Sequence, residues 1–270
     1  MEKIQKGDVV ARISYHKDIL FYVERIIVLS NHEKIALLKG ITYRVQADSP
    51  IEDLVKIEAR EVKDNVEYLD TILQKRINEH EKKQILKRDY MWKSGRILHL
   101  DGDRRYSMKS EKYYKQMGLE AIVRNIRESR QPYMLPSLLQ KYNPDVIVIT
   151  GHDGMIKKGH SYHDVYNYRN SMYFMQSVRQ IRKYQEKYIA VFAGACQSYY
   201  EGIIEAGADF ASSPARILID FIDPLIVAEK VAITAERHYL TVEEFAGELR
   251  DGTKGISGIG AYGKGKIVEK

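Results

Sequence analysis

The chain has 270 residues, 44% of them hydrophobic and 30% charged, with a formal net charge of +6 and a pI near 9.0. That length buries a sizeable core in one or two domains, and no apolar run approaches the roughly 18 residues of a membrane span. A single cysteine excludes an internal disulfide and points to a reducing compartment, and MEKIQKGDVV lacks the apolar stretch of a signal peptide, so none is expected.

Residues 1–62 are balanced in charge and β-rich. KGDVVARI, ILFYVERII, KIALLKGI and LVKIEARE carry Val, Ile and Tyr, and SYHKD, SNHE and QADSP separate them as turn-prone pieces. Four or five short strands in about 60 residues predict a small SH3-like β-barrel, expected to serve as a passive docking or folding module. Residues 63–95 follow a helical period through Val66, Leu69, Ile72 or Leu73, Ile77, Ile85 and Leu86, with no glycine before Gly95. They are expected to form one long or broken helix, partly a linker. Its basic stretch, KRINEHEKKQILKR, has no interleaved aromatic platform, so it is a solvated helix face and no nucleic-acid partner is expected.

Residues 96–270 alternate strand and helix. ILHLD, LEAIVRNI, DVIVIT, YIAVFAG and ADFASS are the strands. YSMKSEKYYKQMG, QPYMLPSLLQKYN, RNSMYFMQSVRQIRKYQEKY and QSYYEGIIEAG are the helices between them, closed by Gly118, Asn143-Pro144 and Gly207. ILIDFIDPLIVAEKVAIT is expected to be mostly helix broken at Pro224. TVEEFAGELRDG is expected to be a helix with Thr241 and Glu244 as a capping box, and GTKGISGIGAYGKGK a loop or short hairpin. The pattern predicts an α/β domain with a parallel sheet and helices on both faces.

Ligands of such sheets bind beyond the carboxyl ends of the strands. DVIVITGHDG delivers His152 to one such end, and YIAVFAGACQS delivers Cys196, the only cysteine, to another. The segment 155–187 has the length of a crossover between adjacent parallel strands, so the two side chains are expected to meet. A cysteine attacks as thiolate and a neighbouring imidazole takes its proton; backbone N–H groups at Asp153, Gly154 and Cys196 are expected to hold the oxyanion. His160 and His163, in the polar loop GHSYHD, are weaker candidates for the base. No third ligand stands at metal-binding spacing beside them, so neither metal nor cofactor is expected.

The apolar block ending in His-Asp-Gly and the second ending in Ala-Cys resemble the caspase, gingipain and clostripain clan of cysteine peptidases. This chain inserts Asp153 where the clan has His-Gly. Over nearly the whole chain, GDVVARISY, ILHLDGD, YNPDVIVITGHDG, VFAGACQS and GADFASSPARILI resemble the YabG family of sporulation proteases. That resemblance implies a peptidase that processes spore coat and cortex-associated proteins, made in the mother-cell cytoplasm, associated with the spore coat, and cutting after basic residues, notably arginine. A basic substrate side chain needs an acidic pocket. Asp101 and Asp103 in HLDGDRR are the first candidates for it, with Asp209 and Asp153 behind them. Exposed basic sites within 75–96 are then candidates for self-cleavage.

Two other readings use the same residues. ILHLDGD places two carboxylates where a phospho-acceptor receiver domain has them, with Asp153 as acceptor, but no lysine ends the fifth strand, where ADFASSP stands. A scaffold whose barrel docks coat proteins needs no chemistry at all.

Overall fold

The computed structural model describes residues 3–85, 92–156, 161–184 and 186–267. Strands β1 (Val9–Arg12), β2 (Phe21–Val28), β3 (Lys34–Gly40), β4 (Gln46–Pro50) and β5 (Leu54–Lys56) form one antiparallel sheet in the order β4-β3-β2-β1-β5. Burial alternates along β3, with Ala36, Leu38 and Gly40 inward, so one face carries the core. QADSP, expected as a turn, is the edge strand β4; an edge tolerates polar residues and a terminal proline. Among the described residues no ladder joins β4 to β5, so the finding is an antiparallel sheet of five strands.

Helix α1 (Ala59–Ile85) begins earlier than expected, inside LVKIEARE, and it is packed rather than free. Ile77 is buried in the α/β core, Arg76 reaches Asp220 at 2.7 Å and Asp223 at 2.9 Å, and His80 lies 2.9 Å from Glu229. These ties remove the linker role from the described part of the helix; Leu86 and the end of the basic stretch lie outside the described residues.

After the short β6 (Trp92–Lys93), the second unit runs β7 (Ile97–Asp101), α2 (Arg104–Gln116), β8 (Ala121–Asn125), α3 (Gln131–Tyr142), β9 (Val146–Thr150), α4 (Ser171–Arg182), β10 (Ala190–Ala193), α5 (Tyr200–Glu205), β11 (Phe210–Ser212), α6 (Asp223–Ile233), β12 (Tyr239–Leu240) and β13 (Ile256–Gly258). The sheet order is β13-β11-β10-β9-β7-β8, parallel throughout except β13. Strand periodicity sorts the core. Val146 and Val148 of β9 face Tyr113 of α2 and Leu225 of α6, whereas Ile147 and Ile149 face Leu135 of α3 and Val178 of α4. Helices on both faces and a mainly parallel sheet are therefore as expected.

Three details differ. Pro224 starts α6 rather than breaking a longer helix, because the first turn leaves its N–H positions unpaired anyway. TVEEFAGELRDG forms its Thr241–Glu244 capping box but continues as two 3₁₀ turns: Phe245, at φ −130°, leaves the helical region and packs on Phe210. The glycine-rich end supplies β13, which pairs antiparallel with β11 and closes that edge of the sheet. Among the described residues no helix is long and apolar enough to cross a membrane.

Candidate active site

The ladder between β9 and β10 pairs Ile149 with Ala193. Three residues on from this pair, past the ends of the two neighbouring strands, come His152 and Cys196. On the other side of β9, β7 ends with Asp101 opposite Thr150. Three adjacent strands thus bring Asp101, His152 and Cys196 to one rim. Asp103 stands beside it as the N-cap of α2, accepting from the N–H groups of Arg105 (2.8 Å) and Tyr106 (3.3 Å), and its carboxylate pairs with Lys39 at 3.1 Å. Asp209 is not brought there. It precedes β11, so the parallel sheet puts it at the opposite, amino end, where it accepts from Arg182 at 2.7 Å and the Val191 N–H at 2.6 Å.

His152 is fully buried. Its Nε2 lies 3.1 Å from the Gly40 carbonyl at the end of β3. A carbonyl only accepts, so Nε2 carries the hydrogen and Nδ1 bears the lone pair; that Nδ1 is buried with no hydrogen-bond partner among the described residues. The backbone N–H of His152 donates to Glu128 Oε1 at 2.8 Å, and the ring lies 5.8 Å from that of Tyr106. Burial, reinforced by the nearby Lys39 charge, pushes the imidazole down to about 4. The unfolded chain takes up this proton near pH 6.5 and the folded one only near 4, so the folded state binds fewer protons between those values. Folding stability is expected to fall by roughly 3 kcal/mol from this group as pH drops from about 6.5 to about 4. Denaturant melts across that window check it: His152→Asn should flatten the loss, and an unchanged slope would contradict it.

The rim is covered. Cys196 has no exposed surface and packs with Val10, Phe21, Val23, Leu38 and Leu54 of the first sheet, with Val45 of the β3–β4 loop and with Ile219. Its sulfur accepts from the Ile219 N–H at 3.4 Å. Burial pushes the thiol up to about 11, so it is uncharged at neutral pH in this state. Side chains of the first sheet cover Cys196 at the rim.

Asp153 and Gly154 divide their roles. The Asp153 carboxylate is buried and accepts from Ser171 Oγ (2.5 Å), Ser198 Oγ (2.9 Å) and the N–H groups of Asn170 (2.8 Å) and Gly154 (2.9 Å); burial raises it to about 6. It ties the loop after β9 to α4 and to the turn after Cys196. The Gly154 N–H is thereby occupied and is no oxyanion donor in this state. The Asp153 N–H instead donates 3.2 Å to the Arg44 carbonyl, and the Gln46 N–H donates 2.7 Å to the Asp153 carbonyl. A Cβ on Gly154 would run into the Gln46 carbonyl oxygen. Gly154→Ala is expected to cost about 1–3 kcal/mol by forcing that approach apart, read as a lowered melting temperature; an unchanged melt would count against the close docking.

Arg44 was not anticipated. It comes from the β3–β4 loop, is 2% exposed, and pairs with Asp101 at 2.8 Å. A second guanidinium nitrogen donates to the Phe221 carbonyl at 3.3 Å, and the group lies over the rings of Tyr106 (4.7 Å) and Phe221 (5.1 Å). Asp101 also accepts from Thr150 Oγ1 (2.8 Å) and the Asp103 N–H (2.7 Å), and Thr150 Oγ1 lies 2.7 Å from His99 Nε2. His163 is exposed beside Tyr199, and His160 lies outside the described residues.

Against known proteins, the family model described as YabG peptidase U57 matches residues 5–268. The chain belongs to the YabG peptidase family. It is 35% identical over 97% of its length, and 96% of the relative's, to the sporulation-specific protease YabG of Bacillus subtilis (strain 168). Family membership makes the chain a peptidase and sets aside the receiver and scaffold readings; Asp153, the acceptor in the former, is fully buried. For this YabG-family chain, strand ends with flanking glycines were the signal that singled out His152 and Cys196 as candidates. Arg44, Tyr106 and Glu128 had no such signal: ITYRVQ reads as an ordinary loop, and only tertiary packing places it on the rim.

Proposed function

We propose that the chain is a cysteine endopeptidase of sporulation that cuts after arginine, with Cys196 as nucleophile and His152 as its base. The observation that supports this reading is that His152 and Cys196 each follow, by three residues, the paired ends Ile149 and Ala193 of adjacent parallel strands. With Nε2–H held by a carbonyl, the free Nδ1 lone pair is the one suited to take the thiol proton; the thiolate then attacks the peptide carbonyl. The backbone N–H groups of Asp153 and Cys196 stabilise the oxyanion, each donor contributing about 3–4 kcal/mol. Asp101 is the carboxylate for the arginine side chain, supported by the guanidinium already paired with it; Asp103, engaged in capping α2, is a secondary contributor. The substrates proposed are spore coat and cortex-associated proteins, met in the mother cell and at the coat, as the sporulation protease relative suggests. The α/β unit is proposed to be caspase-like, and the strand order β4-β3-β2-β1-β5 supports an SH3-like relation for the first sheet.

Peptides with a single arginine, incubated with wild type and with folded Cys196→Ala, test this directly. Wild type should cut on the carboxyl side of arginine and the variant should not; cleavage by the alanine form would sink the dyad. The basic stretch 75–96 gives an internal readout. Stored wild-type protein should accumulate fragments that the Cys196→Ala form lacks, and identical band patterns from the two would argue against self-cleavage.

A further inference from the structure

The loop between β3 and β4 lies on the rim as a peptide would. Val45 pairs in parallel with Asp153, through the Asp153 N–H to the Arg44 carbonyl and the Gln46 N–H to the Asp153 carbonyl. Strand addition of this kind is a common way to hold an extended peptide, with main-chain bonds giving affinity and pockets giving specificity. The pocket here takes Arg44. Its guanidinium is shared between Asp101, the Phe221 carbonyl and two aromatic faces, a set of partners suited to arginine's planar fork. The carbonyl of this same arginine accepts from the Asp153 N–H, where an oxyanion donor is proposed.

Each part of the proposed site is engaged by the one segment. Gly40 holds the ring of His152, Arg44 holds Asp101 and the Asp153 N–H, and Val45 packs in the cluster that covers Cys196. A buried ion pair is seldom better for stability than apolar residues of the same volume, so packing of the first sheet alone does not account for an arginine here.

We propose that Gly40–Gln46 is a built-in substrate mimic, with Arg44 seated in the arginine pocket of its own active site, and that the enzyme is latent until the first sheet lifts from the rim. This rests on the reading of the chain as an arginine-directed cysteine peptidase. Activity then equals the intrinsic rate multiplied by the open fraction, and loosening Arg44 raises that fraction.

The test uses full-length wild type, Arg44→Met and Asp101→Asn, each checked for folding by circular dichroism. Methionine keeps the stem's packing on Tyr106 and Phe221 but removes the charge. Two rates are read: alkylation of Cys196, the only thiol, by iodoacetamide, and hydrolysis of a single-arginine peptide. Arg44→Met should raise both by at least about tenfold. Asp101→Asn should raise alkylation while hydrolysis of the arginine peptide stays at or below the wild-type rate. A folded Arg44→Met protein alkylated at the wild-type rate overturns the mimic. Faster alkylation with no hydrolysis by any form would show that Arg44 holds the cover over Cys196 but would overturn the peptidase reading and, with it, the mimic. Equal hydrolysis by wild type and Arg44→Met leaves the peptidase standing and removes the latency. If Arg44→Met does not fold, Arg44→Lys replaces it: loss of the bidentate fork should raise alkylation at least about threefold, and an unchanged rate overturns the proposal.

Discussion

Cys196→Ala is expected to abolish arginine-peptide hydrolysis, with a fall of at least about a thousandfold, because without the sulfur no acyl-enzyme forms and only binding and the oxyanion donors remain. His152→Ala should fall by a similar factor, since the thiol then has no base. The double variant should be little worse than either single one, as befits two groups that act as a unit. Both variants should stay folded. Removing one buried sulfur leaves a small void, worth about 1 kcal/mol, and the imidazole makes one side-chain hydrogen bond, to Gly40. Steady-state assays on single-arginine peptides, beside melts of the same preparations, read this. A folded Cys196→Ala enzyme with wild-type kcat/KM would end the cysteine mechanism, and strictly additive losses would show that the two residues do not work together.

The second large effect is on stability. Asp101→Ala is expected to destabilise the chain by about 3–5 kcal/mol, because it strands a buried cation. Arg44 would keep only the Phe221 carbonyl and two ring faces, with its Nε already lacking a partner among the described residues. The Asp103 N–H would lose its acceptor, and Thr150 Oγ1 would keep the longer contact to the Leu100 carbonyl at 3.4 Å. Arg44→Met should cost less, since Asp101 keeps those two donors. The double change to Asp101→Ala with Arg44→Met should recover much of the loss, because no unpaired charge remains. Equilibrium urea unfolding of the four proteins measures this. Additive single losses in the double variant would mean that the ion pair is not the source of the cost.

The α/β unit was legible because its signals are local. Buried parallel strands read as apolar runs, so β7, β9 and β10 could be placed almost to the residue, and Gly118, Asn143 and Gly207 closed their helices through left-handed or glycine-only turns. Legibility failed where a neighbour decides the conformation. QADSP carries turn residues yet is a strand, because β3 offers it an edge. The glycine-rich end has no apolar run yet supplies β13, because β11 needs a partner on that side. Asp209 illustrates the same limit in the site: its strand was found, but it lies at the strand's start, and the direction of the sheet sends it to the far end.

The sequence by itself determined which residues stand at the carboxyl ends of the strands, hence His152, Cys196 and Asp101, because strand period, chain direction and crossover length are all written locally. Only the tertiary structure decided that this rim is covered, that Cys196 is sealed and uncharged, and that Arg44, 57 residues before Asp101, is its ion-pair partner. The docking of one sheet on the end of another depends on shape and charge matched across distant segments, and no periodicity along the chain encodes that match.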